Sequence, residues 1–178
     1  NNPTGRLIPE DLMDGIVGIC RKNSVKLFVD ECFLDMSDNG RSVKPYLDEY
    51  KGLFILKAFT KNFALAGIRL GYCLSSDRVL LEKMSRNVQP WNVSVPAQAA
   101  GEEALRHLDF IEEAKRIISE ERTWLMEQLR QISDYGCPSE ANFILLRSAE
   151  DLRIRLLEKG ISIRDCSDFE GLGTGWSR

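Results

Sequence analysis

Phe59-Thr60-Lys61-Asn62-Phe63-Ala64-Leu65-Ala66-Gly67-Ile68-Arg69-Leu70-Gly71-Tyr72 sets a lysine and an arginine eight residues apart, directly after an apolar run from Gly52. Arginine presents a planar fork that matches a phosphate, and a desolvated lysine is a nucleophile. The pair suits a site where an amine attacks an aldehyde while a guanidinium holds a phosphate. Taken alone, the stretch also reads as a strand, a loop exposing Lys61 and a second strand opened by Gly67, because exposed Lys and Arg are common.

Working outward, Val25-Lys26-Leu27-Phe28-Val29 has strand character and ends in two acids, Asp30 and Glu31. A carboxylate at the carboxyl end of a buried parallel strand faces the crevice where open α/β sheets bind ligands. By itself Asp30 is equally a strand-end or turn acid. The first residues, Asn1-Asn2-Pro3-Thr4-Gly5, form a turn and lead into a helix. The last, Gly171-Leu172-Gly173-Thr174-Gly175-Trp176-Ser177-Arg178, carry an arginine whose fork fits a carboxylate.

These segments, in this order, resemble the fold-type I pyridoxal-phosphate enzymes, specifically the class I/II aminotransferase family and its branch of histidinol-phosphate aminotransferase and threonine-phosphate decarboxylase. The resemblance implies an α/β chain: part of the large domain of a pyridoxal-phosphate-dependent transferase fold, plus much of the smaller C-terminal α+β domain. Residues 1–108 would belong to the cofactor-binding domain, and 109–178 to a connecting helix and an incomplete small domain. The cofactor implied is pyridoxal 5'-phosphate. Lys61 would form the Schiff base, Arg69 and Thr60 would bind the phosphate, Asp30 would face the pyridine nitrogen, and Asn2 would donate to the ring oxygen. Arg178 would grip the substrate α-carboxylate. An Asp at the nitrogen keeps the ring protonated, so that it accepts electrons when a bond at the substrate's α-carbon breaks.

Three departures from the family pattern bear on the reaction. Phe33 stands where many aminotransferases of this branch have a Tyr. Ala58, three residues before Lys61, replaces a Ser or Thr and leaves more of the phosphate contact to Thr60 and Arg69. Gln89-Pro90-Trp91-Asn92-Val93-Ser94 and Phe33 are closer to threonine-phosphate decarboxylase. The reading taken is transamination of a small, phosphorylated amino acid, with a decarboxylating lyase or a noncatalytic chain retaining the scaffold as alternatives. The family's glycine-rich phosphate loop and ring-stacking aromatic have no counterpart here. The isolated chain is therefore expected to be inactive and a weak cofactor binder, in a family whose enzymes are homodimers.

At 178 residues the chain can bury a substantial core, and its net charge of -3 with 29% charged residues gives no basic excess pointing to nucleic acid. Apolar runs are strand-sized, so no membrane span is expected, and no signal peptide precedes the first motif. Cys20, Cys32, Cys73, Cys137 and Cys166 lie far apart without a C-x-x-C pair, which suggests free thiols in a reducing cytoplasm. With His107 the only histidine, no metal site is expected. Nucleotide-binding G-x-G-x-x-G and Walker patterns are absent.

Periodicity predicts helices over 8–23, 79–87, 97–108, 109–133 and 151–159, the last closed by Gly160. It predicts strands over 25–29, 52–59, 68–74, 142–146 and 161–164, with loops over 37–40 and 91–94.

Overall fold

Leu53, Ile55 and Lys57 alternate with Phe54, Leu56 and Ala58 along β2 (Leu53–Ala58), and that alternation arranges the larger part of the fold. In the computed structural model, which describes residues 1–131, 135–148 and 152–178, β2 lies at the centre of a three-stranded sheet ordered β1-β2-β3. β1 (Leu27–Asp30) pairs with it in parallel, Leu27 opposite Leu53 and Asp30 opposite Leu56. β3 (Gly71–Leu74) pairs antiparallel, Ala58 opposite Gly71 and Ile55 opposite Leu74. Helix α1 (Glu10–Lys22) supplies Val17, Met13 and Cys20 to a core closed by Leu53, Ile55, Val43 and Tyr50, against which Leu27 and Val29 pack.

These elements belong to one of two compact units, Ile8–Met36 with Gly40–Lys115. The same unit holds a single helical turn α2 (Phe59–Asn62), α3 (Arg78–Asn87) and α4 (Val95–Ala104). Asp77 caps α3 by accepting from the Leu80 N–H at 3.0 Å, and Ser94 caps α4 by accepting from Ala97 at 3.3 Å. Helix α5 (Asp109–Leu129) crosses the division near Arg116.

The other unit comprises Asn1–Leu7, Ser37–Asn39 and Arg116–Arg178. Its antiparallel sheet, β4 (Tyr135–Gly136), β5 (Leu146–Arg147) and β6 (Trp176–Ser177), lies beside a core of Cys137, Leu145 and Cys166 with Phe169, Leu172 and Trp176 around it. Helix α6 (Leu152–Leu157) precedes Gly160, which lies at φ +77° while Ile161 N–H bonds back to Leu156 O at 2.9 Å. A helix that ends this way satisfies its last carbonyls through a left-handed glycine.

Several sequence expectations need correction. β1 is not buried on both faces: Phe28 is 57% exposed and Asp30 is exposed. β2 is its only strand partner among the described residues, and α1 covers the Leu27/Val29 face alone. The strand expected from Ile68 begins only at Gly71, because Ala66–Ile68 is a 3-10 turn and Arg69 sits at φ +59°. The helix expected to run to Leu108 ends at Ala104. The strand expected over 142–146 is reduced to Leu146–Arg147, and 161–164 is not a strand. Arg164 instead exchanges two backbone hydrogen bonds with Arg178, at 3.0 and 2.9 Å. Ile132, Ser133 and Asp151, expected in helices, lie outside the described residues.

Candidate active site

Strand direction brings four of the singled-out residues to one end of the sheet. β1 and β2 are parallel, so Asp30 at the end of β1 and Thr60 and Lys61 just past β2 leave the sheet on the same side. β3 runs the other way and starts opposite Ala58, so Arg69, two residues before it, is at that end too. This is the end of an α/β sheet where ligands bind.

Lys61 lies in the helical turn α2, which is tied down at its start by the Phe59 N–H donating to Leu70 O at 3.1 Å. The Phe59 ring is buried, stacks on Phe63 at 5.4 Å and meets Tyr72 edge-on at 5.8 Å. Lys61 itself is exposed, its ammonium 5.3 Å from the centre of the Phe33 ring. Thr60 is half-buried. Arg69 is exposed, its Nη1 donating to Ala66 O at 3.0 Å. Its left-handed backbone costs an L-residue about 1–2 kcal/mol.

Asp30 accepts from the Cys32 N–H at 2.9 Å and is exposed. Among the described residues none of Asp30, Lys61 and Arg69 forms an ion pair. The Cys32 thiol is pushed up to about 12, first by burial and then by the Asp30 carboxylate beside it, with Lys57 and Lys61 pulling weakly the other way.

The remaining two candidates lie in the other unit and meet there. The Arg178 Nη1 donates to Asn2 Oδ1 at 2.6 Å, across 176 positions of chain, and the guanidinium sits 4.7 Å from the centre of the Phe143 ring. An Arg pinned by a neutral acceptor and an aromatic face keeps donors for a carboxylate.

Sequence reasoning missed a buried ionic cluster. Glu31 extends the inward phase of Leu27 and Val29, and Lys57 extends that of Leu53 and Ile55, so the two meet at the end of the core while Asp30 takes the opposite face. The Lys57 Nζ lies 3.2 Å from Glu31 Oε2 and 2.7 Å from Asp35 Oδ1. Glu31 also accepts from Ser42 Oγ and from the Val43 N–H, both at 2.8 Å. Burial pulls the Lys57 amine down, but the Asp35 bond and the charges of Asp35 and Glu31 outweigh it and hold the amine above its ordinary value. The signal was available: Lys57 is the one charge in an otherwise apolar run, and a buried charge needs a partner.

A mixed α/β unit thus carries a lysine turn, a carboxylate and an arginine at the ligand end of its sheet, the fold being that of the pyridoxal-phosphate-dependent transferases. The family model for aminotransferase class I and II matches residues 1–178, and the chain belongs to that family, whose members depend on pyridoxal phosphate. It is 33% identical over 182 residues to the threonine-phosphate decarboxylase of Salmonella typhimurium, covering all of this chain and 50% of that protein. A histidinol-phosphate aminotransferase of Ruminiclostridium cellulolyticum is 35% identical over 167 residues, covering 92% and 45%. The crystal structure of the histidinol-phosphate aminotransferase from Clostridium acetobutylicum superposes with a TM-score of 0.91 at 31% identity, covering 99% of this chain and 55% of that one. The chain thus spans about half the length of the relatives it matches.

Proposed function

We propose that the complete protein is a pyridoxal-phosphate-dependent aminotransferase acting on a small amino acid that bears a phosphate. The observation that carries the reading is the convergence of Asp30, Thr60, Lys61 and Arg69 at one end of the sheet. Their chemistry fits the cofactor: an exposed amine, an exposed carboxylate, a hydroxyl and a guanidinium, the charged ones free of competing ion pairs among the described residues. Pyridoxal phosphate, when bound, supplies an electron sink for a bond broken at the substrate's α-carbon.

In this reading the Arg69 fork and the Thr60 hydroxyl hold the phosphate, and Asp30 keeps a proton on the ring nitrogen by charge pairing. Asn2 holds the ring oxygen, and Arg178 orients the substrate carboxylate. The Lys61 amine holds the cofactor between turnovers and moves a proton at the α-carbon. Residues 1–108 are assigned to the cofactor-binding domain and 109–178 to the connector and small domain. The protein is further proposed to be a cytoplasmic homodimer. Among the described residues no helix is long and apolar enough to cross a membrane.

Decarboxylation is the second reading, favoured by the 33% identity to the Salmonella typhimurium threonine-phosphate decarboxylase and by Phe33 beneath Lys61. Incubating the full-length protein with threonine phosphate, and separately with histidinol phosphate and 2-oxoglutarate, separates the two. Amino transfer in the second mixture supports the first reading. Carbon dioxide from the first mixture with no transfer in the second replaces it by the decarboxylase.

A further inference from the structure

We propose that Asp35 is a positioning residue for Lys61, acting through Asn62; the inference rests on the reading of Lys61 as the cofactor-holding lysine. A single helical turn such as Phe59–Asn62 does not support itself, since nucleating a turn fixes three residues for one hydrogen bond. Lys61 sits between two buried anchors, the Phe59 ring and the Asn62 amide, which are 7% and 5% exposed. Among the described residues Asn62 has one side-chain partner: its Nδ2 donates to Asp35 Oδ2 at 2.5 Å, and its buried Oδ1 has none.

Asp35 spends its other oxygen on Lys57, at 2.7 Å. Neutralising Lys57 does not require it, because Glu31 already lies 3.2 Å from the same ammonium. What Asp35 adds is a bridge. One carboxylate ties β2, through Lys57, to the turn that carries Lys61, and it stands five residues after Asp30 on the segment leaving β1. The bridge fixes where the Lys61 amine stands at the end of the sheet.

The test uses the full-length protein with pyridoxal phosphate, trapping the label with borohydride and mapping it. Wild type should carry it on Lys61. In Asp35→Asn and in Asn62→Ala the label should stay on Lys61 but form roughly 10- to 100-fold more slowly, as expected for a reacting group displaced by about an ångström. The visible circular dichroism of the bound cofactor should shrink in both. The double variant should be no slower than the slower single one, because both changes cut the same link. Ser42→Ala, which touches Glu31 and not Asn62, should label at the wild-type rate. Wild-type labelling kinetics in Asn62→Ala, fold changes that multiply in the double variant, or equal slowing by Ser42→Ala would each overturn the inference. Asn62→Ala leaves the Lys57 contacts in place, so it answers even if Asp35→Asn does not fold. A wild-type label on another lysine would instead remove the reading on which the proposal rests.

Discussion

Replacing Lys57 by Met should destabilise the sheet unit by about 3–5 kcal/mol, the cost of breaking a buried ion pair by deleting one partner. The size follows from burial. Lys57 and Glu31 side chains are 10% and 3% exposed, and Asp35 is 35% exposed, so the deletion strands one deeply buried carboxylate and one half-buried one. Glu31 keeps its bonds from Ser42 and Val43, worth about 1 kcal/mol each, which places the expected loss near the lower end. The methionine fills most of the volume, so cavity formation contributes little. Because the chain forms two units, a single unfolding midpoint is ambiguous, and native-state hydrogen exchange at the β2 amides of Ile55 and Leu56 is the better assay. A loss of 3 kcal/mol corresponds to exchange faster by roughly 100-fold or more. Adding Glu31→Gln should recover a large part of the loss, since the surviving Asp35 is partly solvated. If Lys57→Met changes exchange less than about fivefold, or Glu31→Gln makes it worse, the cluster is not the desolvated ion pair described.

The same lysine sets an alkaline limit. Its amine is held above the ordinary lysine value in the folded state, so its stabilisation is complete below that value and is lost as pH rises through the folded one. Urea titrations above about pH 10 should show a steeper decline in wild type than in Lys57→Met, which keeps only the decline due to the raised thiols and phenols. Cys32, raised to about 12, should resist iodoacetamide at pH 9, where roughly one thiol in a thousand is ionised, and Asp30→Asn should speed its alkylation modestly. No change on Asp30→Asn would place that carboxylate away from the thiol. Gly5→Ala should cost at least about 2 kcal/mol in the other unit, because Gly5 is at φ +71° and an added Cβ would stand 2.0 Å from Ser139 Oγ. A melting curve unchanged by this substitution would contradict the described turn.

Much of this arrangement is legible in the sequence because it is local. Helix α3 follows its Asp77 cap, and α6 closes at Gly160, with chain chemistry alone setting both ends. The order Asn2, Asp30, Lys61, Arg69 carried the family resemblance without any knowledge of the sheet. What stayed hidden depends on contacts distant in sequence. Arg164 pairs with Arg178 through backbone atoms, which no side-chain pattern records, so in the sequence 161–164 has only the look of a strand of its own. The left-handed Arg69 delays β3 to Gly71, and nothing in Ile68-Arg69-Leu70 announces a positive φ. Glu31 and Lys57 were within reach: inward parity in two paired strands, with an acid on one and a base on the other, is a readable signal once the parallel pairing is assumed.

Lys61 is proposed to be the lysine that holds pyridoxal phosphate. Borohydride reduction of the full-length protein with the cofactor, followed by peptide mapping, addresses it directly. A pyridoxyl label is expected on Lys61, which is exposed at the ligand end of the sheet, and none on Lys57, whose amine is committed to Glu31 and Asp35. A label on Lys57 or Lys51 with Lys61 unmodified would contradict it.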